Sequence, residues 1–243
     1  MKIMHLPFCF YPDVVGGTEV YVELLARYLR AAGHEAVIVA PGRANSRYDH
    51  NGLTVYRYAL SEGTCAIEEL YGEGDIAAAG EFANILERER PDIVHMHAFT
   101  RGVSLRCARA AKKAGIPVVV TYHTPTVSCQ RGTLMRWGRT VCDGRLTVTR
   151  CTACTLHGLG VPQALAALLA LVPAGVGDFL GALNLAGGWR TAVRMRALMY
   201  RRKAAFRDFM KEADRVVVLC RWSADLLARN GLPETKMTLI RQG

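Results

Sequence analysis

Residues 92–122, DIVHMHAFTRGVSLRCARAAKKAGIPVVVTY, read as strand, helix, strand. Asp92–Met96 and Ile116–Tyr122 are short apolar runs rich in β-branched residues, while Val103–Ala114 spaces its apolar residues as a helix does and stops at Gly115. Parallel strands cannot be joined by a tight turn and need a crossover, usually a helix, so this segment predicts a parallel pair. The same alternation extends on both sides. Lys2–Leu6, Glu35–Ala40 and Leu53–Tyr58 are predicted strands, with helices from Thr18 to about Ala32, stopped by Gly33, and from Asp75 to Arg90, stopped by Pro91. Arg215–Leu219 and Met237–Ile240 complete the strand set. The predicted fold class is α/β, a Rossmann-like doubly wound parallel sheet, and ligands of such sheets sit outside the carboxyl ends of the strands.

The alternation lapses at Thr124 and resumes at Asp214. The chain of 243 residues is therefore expected to be one Rossmann-like domain with an insertion over 124–212: a Cys-rich loop (124–160), an apolar helical hairpin (161–188) and a basic helix (189–212). At 51% hydrophobic and 21% charged the chain can bury a sizeable core, which excludes intrinsic disorder. Its eight cysteines are too few for a disulfide scaffold. The formal net charge of +10 is concentrated: residues 124–212 hold 13 basic and 4 acidic side chains, or +9, and the other residues together give +1. An anionic partner is expected at that segment. The apolar run after Lys2 is short, is broken by Pro7 and has no small-residue cleavage site, so no secretory signal is read and a reducing cytoplasmic setting is expected.

Three constellations carry chemistry. Gly16-Gly17-Thr18-Glu19 lies between the first strand and first helix, where small residues let a ligand approach the backbone and the helix N-terminus offers free N–H groups to an anion. It is neither the dinucleotide fingerprint nor a P-loop, and it also reads as a plain strand-to-helix turn. His95 and His97, at i and i+2, share one side of a strand, and His97 and His123 stand at strand ends. Cys129, Cys142, Cys151 and Cys154 are spaced C-x12-C-x8-C-x2-C. Four thiolates in a polar loop suit a closed tetrahedral structural zinc site; an iron–sulfur cluster, disulfides and free thiols are the other readings, and His157 could replace one ligand. Cys9, Cys65, Cys107 and Cys220 are scattered and read as buried or incidental.

The motifs, taken in order, resemble a known family. Pro12 to Glu19 (Pro-x-x-x-Gly-Gly-x-Glu), Ala32-Gly33-His34, Pro91–His97 (Pro-Asp-Ile-Val-His-x-His), Gly115–His123 (Gly-Ile-Pro-Val-Val-x-Thr-x-His) and Ala213–Cys220 are similar to the N-terminal domain of glycosyltransferase family 4, or group 1, enzymes of the GT-B fold. The resemblance implies a retaining transfer without a metal, in which this domain binds the acceptor and a second domain grips the nucleotide-sugar donor. By position, it implies that Gly16, Gly17 and Thr18 lie near a donor or acceptor phosphate. His123 would be the candidate catalytic residue, hydrogen-bonding the transferred sugar, and His97 would line the acceptor side. Glu19 is better read as a helix N-terminal carboxylate.

The departures shape the expectation as much as the matches. The family's donor domain carries a Glu-x7-Glu motif; that spacing does occur here at Glu81 and Glu89, but on a helix, where amphipathic patterns produce such pairs by chance and a solvated face is expected. The sequence ends about where the linker to a donor domain would begin, so an acceptor-binding half, inactive alone, is expected, with a lipid-linked or otherwise anionic acceptor. The segment 161–212 is expected either to pack as a satellite core or to rest on an anionic membrane surface, which would make the protein peripheral on the cytoplasmic face. Gly175-x-Gly177-x-x-x-Gly181 faintly resembles a dinucleotide loop, but no strand precedes it. The alternative reading, a non-enzymatic zinc-containing module for nucleic acid or a protein partner, has net charge and cysteines in its favour. Few aromatics for stacking and no C2H2 or RNA-binding signature argue against nucleic acid.

Overall fold

In the computed structural model, residues 1–13, 16–61, 67–183 and 187–241 are described. The elements in chain order are β1 (Lys2–Leu6), α1 (Gly17–Ala31), β2 (Glu35–Gly42), β3 (Ser46–His50), β4 (Leu53–Ala59), α2 (Ile67–Tyr71), α3 (Ile76–Glu89), β5 (Ile93–Met96), α4 (Leu105–Lys113) and β6 (Val118–Tyr122). After a 3-10 turn at Pro125–Val127 come β7 (Met135–Arg136), β8 (Thr140–Val141), α5 (Val148–Gly158), α6 (Gln163–Leu169), α7 (Ala174–Ala182), α8 (Gly188–Glu212), β9 (Arg215–Val218), α9 (Arg221–Arg229) and β10 (Met237–Leu239). Among these residues one eight-stranded sheet has the order β10-β9-β6-β5-β1-β2-β4-β3. Every pair is parallel except β3 with β4. Strand order departs in both directions from β1, so the crevice between the carboxyl ends of β1 and β5 is the topological switch point of a Rossmann-like, doubly wound fold.

Strand alternation assigns the two faces. Met4, Leu6, Val94, Met96, Val120 and Tyr122 join Phe82, Leu105 and Phe209 in the larger core, while Ile38, Ala40 and Val55 meet Val22 and Ala26 of α1 on the other side. His5, His95 and Thr121 have the parity of the α1 face. Helix α3 is capped by the Asp75 carboxylate, which accepts from the Ala78 N–H at 3.0 Å. Gly33 and Gly115 take φ of +82° and +75° directly after α1 and α4, the left-handed turn that ends a helix at little cost in glycine.

Four expectations are corrected. Edge strand β3 was not foreseen, because SRYDH carries no apolar run and pairs only on one side. The Cys-rich stretch is not loop throughout: eleven of its residues, Val148–Gly158, are α5, which packs Val148 and Leu156 against Met195, Leu198 and Met199 of α8. The apolar segment does not fold back as a hairpin; α6 and α7 meet at 82°, with Pro173 as the N-cap of α7. Finally, the basic helix does not offer all of its charge to an anionic partner, since Arg194 and Arg202 of α8 are only 3% and 5% exposed. Gly177 and Gly181 serve this packing rather than any nucleotide. A Cβ on Gly177 would lie 3.0 Å from Ala197 Cβ, and one on Gly181 would lie 2.8 Å from the Arg194 guanidinium.

Candidate active site at the switch point

Four histidines form a row across the carboxyl ends of β1, β5 and β6. Parallel register sets His5 beside His95, and the strand period brings His97 to the same face, with His95 and His97 ring centroids 4.1 Å apart. His5 Nδ1 and His97 Nε2 are 3.1 Å apart, His97 Nδ1 and His123 Nε2 are 3.0 Å apart, and His95 Nε2 lies 2.7 Å from Thr121 Oγ1. Tyr21 of α1 covers the outer end, edge-on to His123 at 4.9 Å and to His97 at 6.1 Å.

Burial decides the charge state of this row. Desolvation lowers His5 and His123 to about 4, and it lowers His95 and His97 well below the ordinary imidazole value, helped by the neighbouring rings. All four are neutral at pH 7. Such groups orient and hydrogen-bond an uncharged polar ligand rather than pair with a phosphate. His5, His95 and His97 present ring nitrogens within 4.8 Å of one another, but both nitrogens of His97 are engaged in hydrogen bonds.

The glycine turn opens α1, the helix whose Tyr21 covers this row. Gly16 is the N-cap of α1 and Glu19 Oε2 accepts its N–H at 2.8 Å, as the reading of Glu19 as a helix N-terminal carboxylate requires. Thr18, the expected cap, lies instead inside the first turn, because the N-cap is Gly16, two residues earlier, and the Glu19 carboxylate accepts the Gly16 N–H. A Cβ on Gly17 would meet nothing within 4 Å among the described residues, whereas one on Gly16 would lie 3.5 Å from Glu19 Oε2. The neighbouring Cys9 thiol is raised to about 11 by burial and by the Glu19 charge, which keeps it protonated.

A groove adjoins the row rather than containing it. A cavity of about 850 Å³ opens between the β1 loop (Phe8, Pro12) and the ends of β2 and β4 (Pro41, Arg57). A second of about 260 Å³ continues past Phe8 to Phe99, Thr126 and Arg202. Arg57, donating to the carbonyls of Phe10 and Pro41 and paired with Asp13, holds the β1 loop over the sheet. Arg202 reaches from α8 to the carbonyls of Thr126 and Val127 at 2.8 and 3.2 Å, with its guanidinium 4.3 Å from the Phe99 ring. It thus braces the loops that follow His97 and His123. Glu81 and Glu89 lie on α3, away from the crevice. Glu89 is not solvated as expected, since it accepts from Tyr56 and pairs with Lys2 at 2.5 Å.

The four cysteines converge as well. Cys129, Cys142, Cys151 and Cys154 line one cavity of about 40 Å³ with Arg131, Arg145 and Arg150. The Trp137 N–H and the Arg131 guanidinium donate to Cys154 Sγ at 3.4 and 3.5 Å. No three of the sulfurs lie within 4.8 Å of one another. His157 instead contacts the Val161 carbonyl at 3.1 Å. Of the scattered cysteines, Cys107 is buried, Cys9 half-buried and Cys220 exposed; Cys65 lies outside the described residues.

His5, Tyr21, Arg57 and Arg202 were not singled out from sequence. His5 alone left a signal there, a polar residue within the apolar run of Lys2–Leu6.

A 42.6 kDa uncharacterized protein of the Klebsiella pneumoniae cps region is 31% identical over 138 residues, 50% of this chain and 36% of that one. Among solved structures, a sucrose-phosphate synthase of Thermosynechococcus elongatus is similar with a TM-score of 0.49 and 14% identity, over 100% of this chain and 48% of that one. An Anabaena protein, HepE, in complex with UDP and glucose is similar with a TM-score of 0.47 and 13% identity, over 100% of this chain and 45% of its own. The chain thus spans little more than a third of the curated relative and under half of these structures. Residues 15–176, about two thirds of the sequence, match the pattern of Glycosyltransferase Family 4, and with the glycine turn and strand-end histidines inside that match the chain belongs to glycosyltransferase family 4.

Proposed function

We propose that this chain is the acceptor-binding half of a retaining glycosyltransferase, a hexosyltransferase, that moves a sugar from a nucleotide-sugar donor to a lipid-linked or otherwise anionic glycan, the donor being gripped by a second domain. The observation that supports this reading is that α1, which begins at the Gly16-Gly17 turn, packs Tyr21 edge-on against His97 and His123 at the switch point. The free N–H groups at the start of α1 suit a phosphate, and neutral imidazoles beside them suit sugar hydroxyls. In the full-length enzyme, His123→Ala should lower kcat by about a hundredfold, the scale of one lost transition-state donor, and an unchanged rate would overturn the assignment. Residues 1–243 alone should turn over little or no nucleotide sugar; robust turnover would refute the division of labour.

Two accessory roles belong to this reading. The four-cysteine cavity is a structural zinc site, supported by the shared cavity, the flanking arginines and the N–H donors to Cys154. With Zn–S bonds of about 2.3 Å the sulfurs of a zinc site sit about 3.8 Å apart, so they close inward on binding. A larger iron–sulfur cluster is the alternative guest, and sulfide content with visible absorbance separates the two. Less than about half an equivalent of either metal in protein purified without chelators would overturn the site.

The second role is a cytoplasmic membrane face. No single helix among the described residues is long and apolar enough to cross a bilayer. The bent α6–α7 pair and the start of α8 nevertheless expose Leu168, Phe179 and Trp189 at 65%, 65% and 69%, beside Arg190. Large apolar side chains next to cations suit shallow insertion into anionic headgroups. Arg150, Arg194, Arg201 and Arg207 of the insertion are taken up in ion pairs, so its charge is offered to an anionic partner mainly by its other cations, Arg190 beside Trp189 among them.

A further inference from the structure

The histidine row constrains protons as well as positions. A neutral imidazole has one N–H and one lone pair, so a chain of them bonded nitrogen to nitrogen must point one way throughout. Two directions are possible for His5, His97 and His123. In one, each Nε2–H points inward: His123 donates to His97 and His97 donates to His5. His5 would then keep its own proton on Nε2. That atom is fully buried and has no hydrogen-bond partner. In the other direction every proton is on Nδ1, so that His5 donates to His97, His97 donates to His123, and the orphan at His5 Nε2 is a bare lone pair. A buried N–H without an acceptor is among the rarest defects of folded proteins, and an unused lone pair is better tolerated.

We infer that His5 and His97 act as positioning residues whose one-way hydrogen-bond chain fixes His123 as the neutral Nδ1–H tautomer, committing its free nitrogen to donate toward the ligand. His123 Nε2 is consumed as an acceptor from His97, and its Nδ1 is not among the buried unpartnered atoms. The ligand atom that meets it must therefore be an acceptor without need of a cation, such as a sugar hydroxyl or carbonyl oxygen. Phosphate falls to the N–H groups of the glycine turn. This division rests on the glycosyl-transfer reading for its substrate, whereas the tautomer rests on the geometry of the row and on the burial that keeps its rings neutral.

Long-range proton–nitrogen NMR of the chain labelled with ¹⁵N-histidine tests it, the ring signals being assigned by single substitutions of the chain's seven histidines. At pH 7.5 His5, His97 and His123 should each show a protonated Nδ1 and a bare Nε2. His5→Phe removes the first donor and should release His97 and His123 into mixed or Nε2–H tautomers. His5→Asn keeps an amide donor near the position of Nδ1 and should hold them in the Nδ1–H form. Loss of one oriented hydrogen bond to substrate corresponds to about a tenfold fall in kcat/KM of the full-length enzyme for His5→Phe, with recovery to within about threefold for His5→Asn. A protonated Nε2 on His97 or His123 in the parent overturns the inference, as would tautomers indifferent to His5→Phe or a chelator-sensitive metal on these rings. The parent spectrum suffices if His5→Phe does not fold. Expected tautomers with unchanged sugar transfer in His5→Phe would leave the chain of bonds standing and refute instead the placement of His123 on the sugar.

Discussion

Acid should destabilise this protein through its buried histidines, and His5 gives the term that can be isolated. In the folded chain its imidazole is lowered from 6.5 to about 4 by burial, and in the unfolded chain it is free to titrate near 6.5. Between these values the unfolded state binds a proton that the folded state refuses. Stability is therefore full above about pH 6.5 and falls as pH drops toward 4. At about 1.36 kcal/mol per unit, the ceiling is roughly 3 kcal/mol, of which roughly 2.5 kcal/mol is lost by pH 4.5. The perturbation is His5→Asn, which removes the titrating group and keeps a donor to His97. Urea unfolding of parent and variant at pH 7.5 and pH 4.5 gives four free energies. The parent should lose roughly 2.5 kcal/mol more than the variant over that interval, whatever the cost of the substitution at pH 7.5. Equal losses would refute the claim that His5 is held neutral by burial.

Arg202→Met should destabilise the fold by about 1–3 kcal/mol in urea unfolding, because the Thr126 carbonyl and the buried Val127 carbonyl lose their donor, although the methionine fills much of the same volume. Gly177→Val should cost about 1–3 kcal/mol by overpacking α7 on α8, where even a Cβ would already sit 3.0 Å from Ala197 and 3.1 Å from Arg194. Replacing both Leu168 and Phe179 by Ser should weaken sedimentation with anionic vesicles at least about tenfold and leave the melting temperature within about 2 °C, since both side chains are exposed. Unchanged vesicle binding would remove the membrane face.

The sheet was legible because its information is local. Ile93–Met96 and Val118–Tyr122 declare themselves by composition, and Gly33 and Gly115 mark where helices stop. The pairing of His95 with His97 followed from the strand period alone. His5 was legible only as a polar residue in an apolar strand, because its partner is 92 positions away and becomes a neighbour through the order of β1 beside β5. The fate of arginines on α8 was illegible for a related reason. A helix shows which face is apolar, but not that a second layer, here the turn after His123 and the α7 glycines, will cover part of the charged one. Helix α5 escaped notice because its Thr and Cys residues give no apolar period, and its apolar contacts are supplied by α8.

The bracing by Arg202 bears on how this protein can be cut and joined. Phe206 and Phe209, one turn and two turns further along α8, belong to the same core as Met96 and Val120 of the sheet, and Phe209 stacks on Phe99 at 4.4 Å. Excising 124–212 would remove part of the helical layer that covers this face, leaving α3 and α4 without α8, and would take away the arginine that braces the strand-end loops. The insertion is thus not a cassette that could be grafted onto a plain Rossmann domain or removed to simplify this one. Variation in the cysteine loop and in the helix beneath it is expected to be inherited together with variation in the loops that meet the substrate.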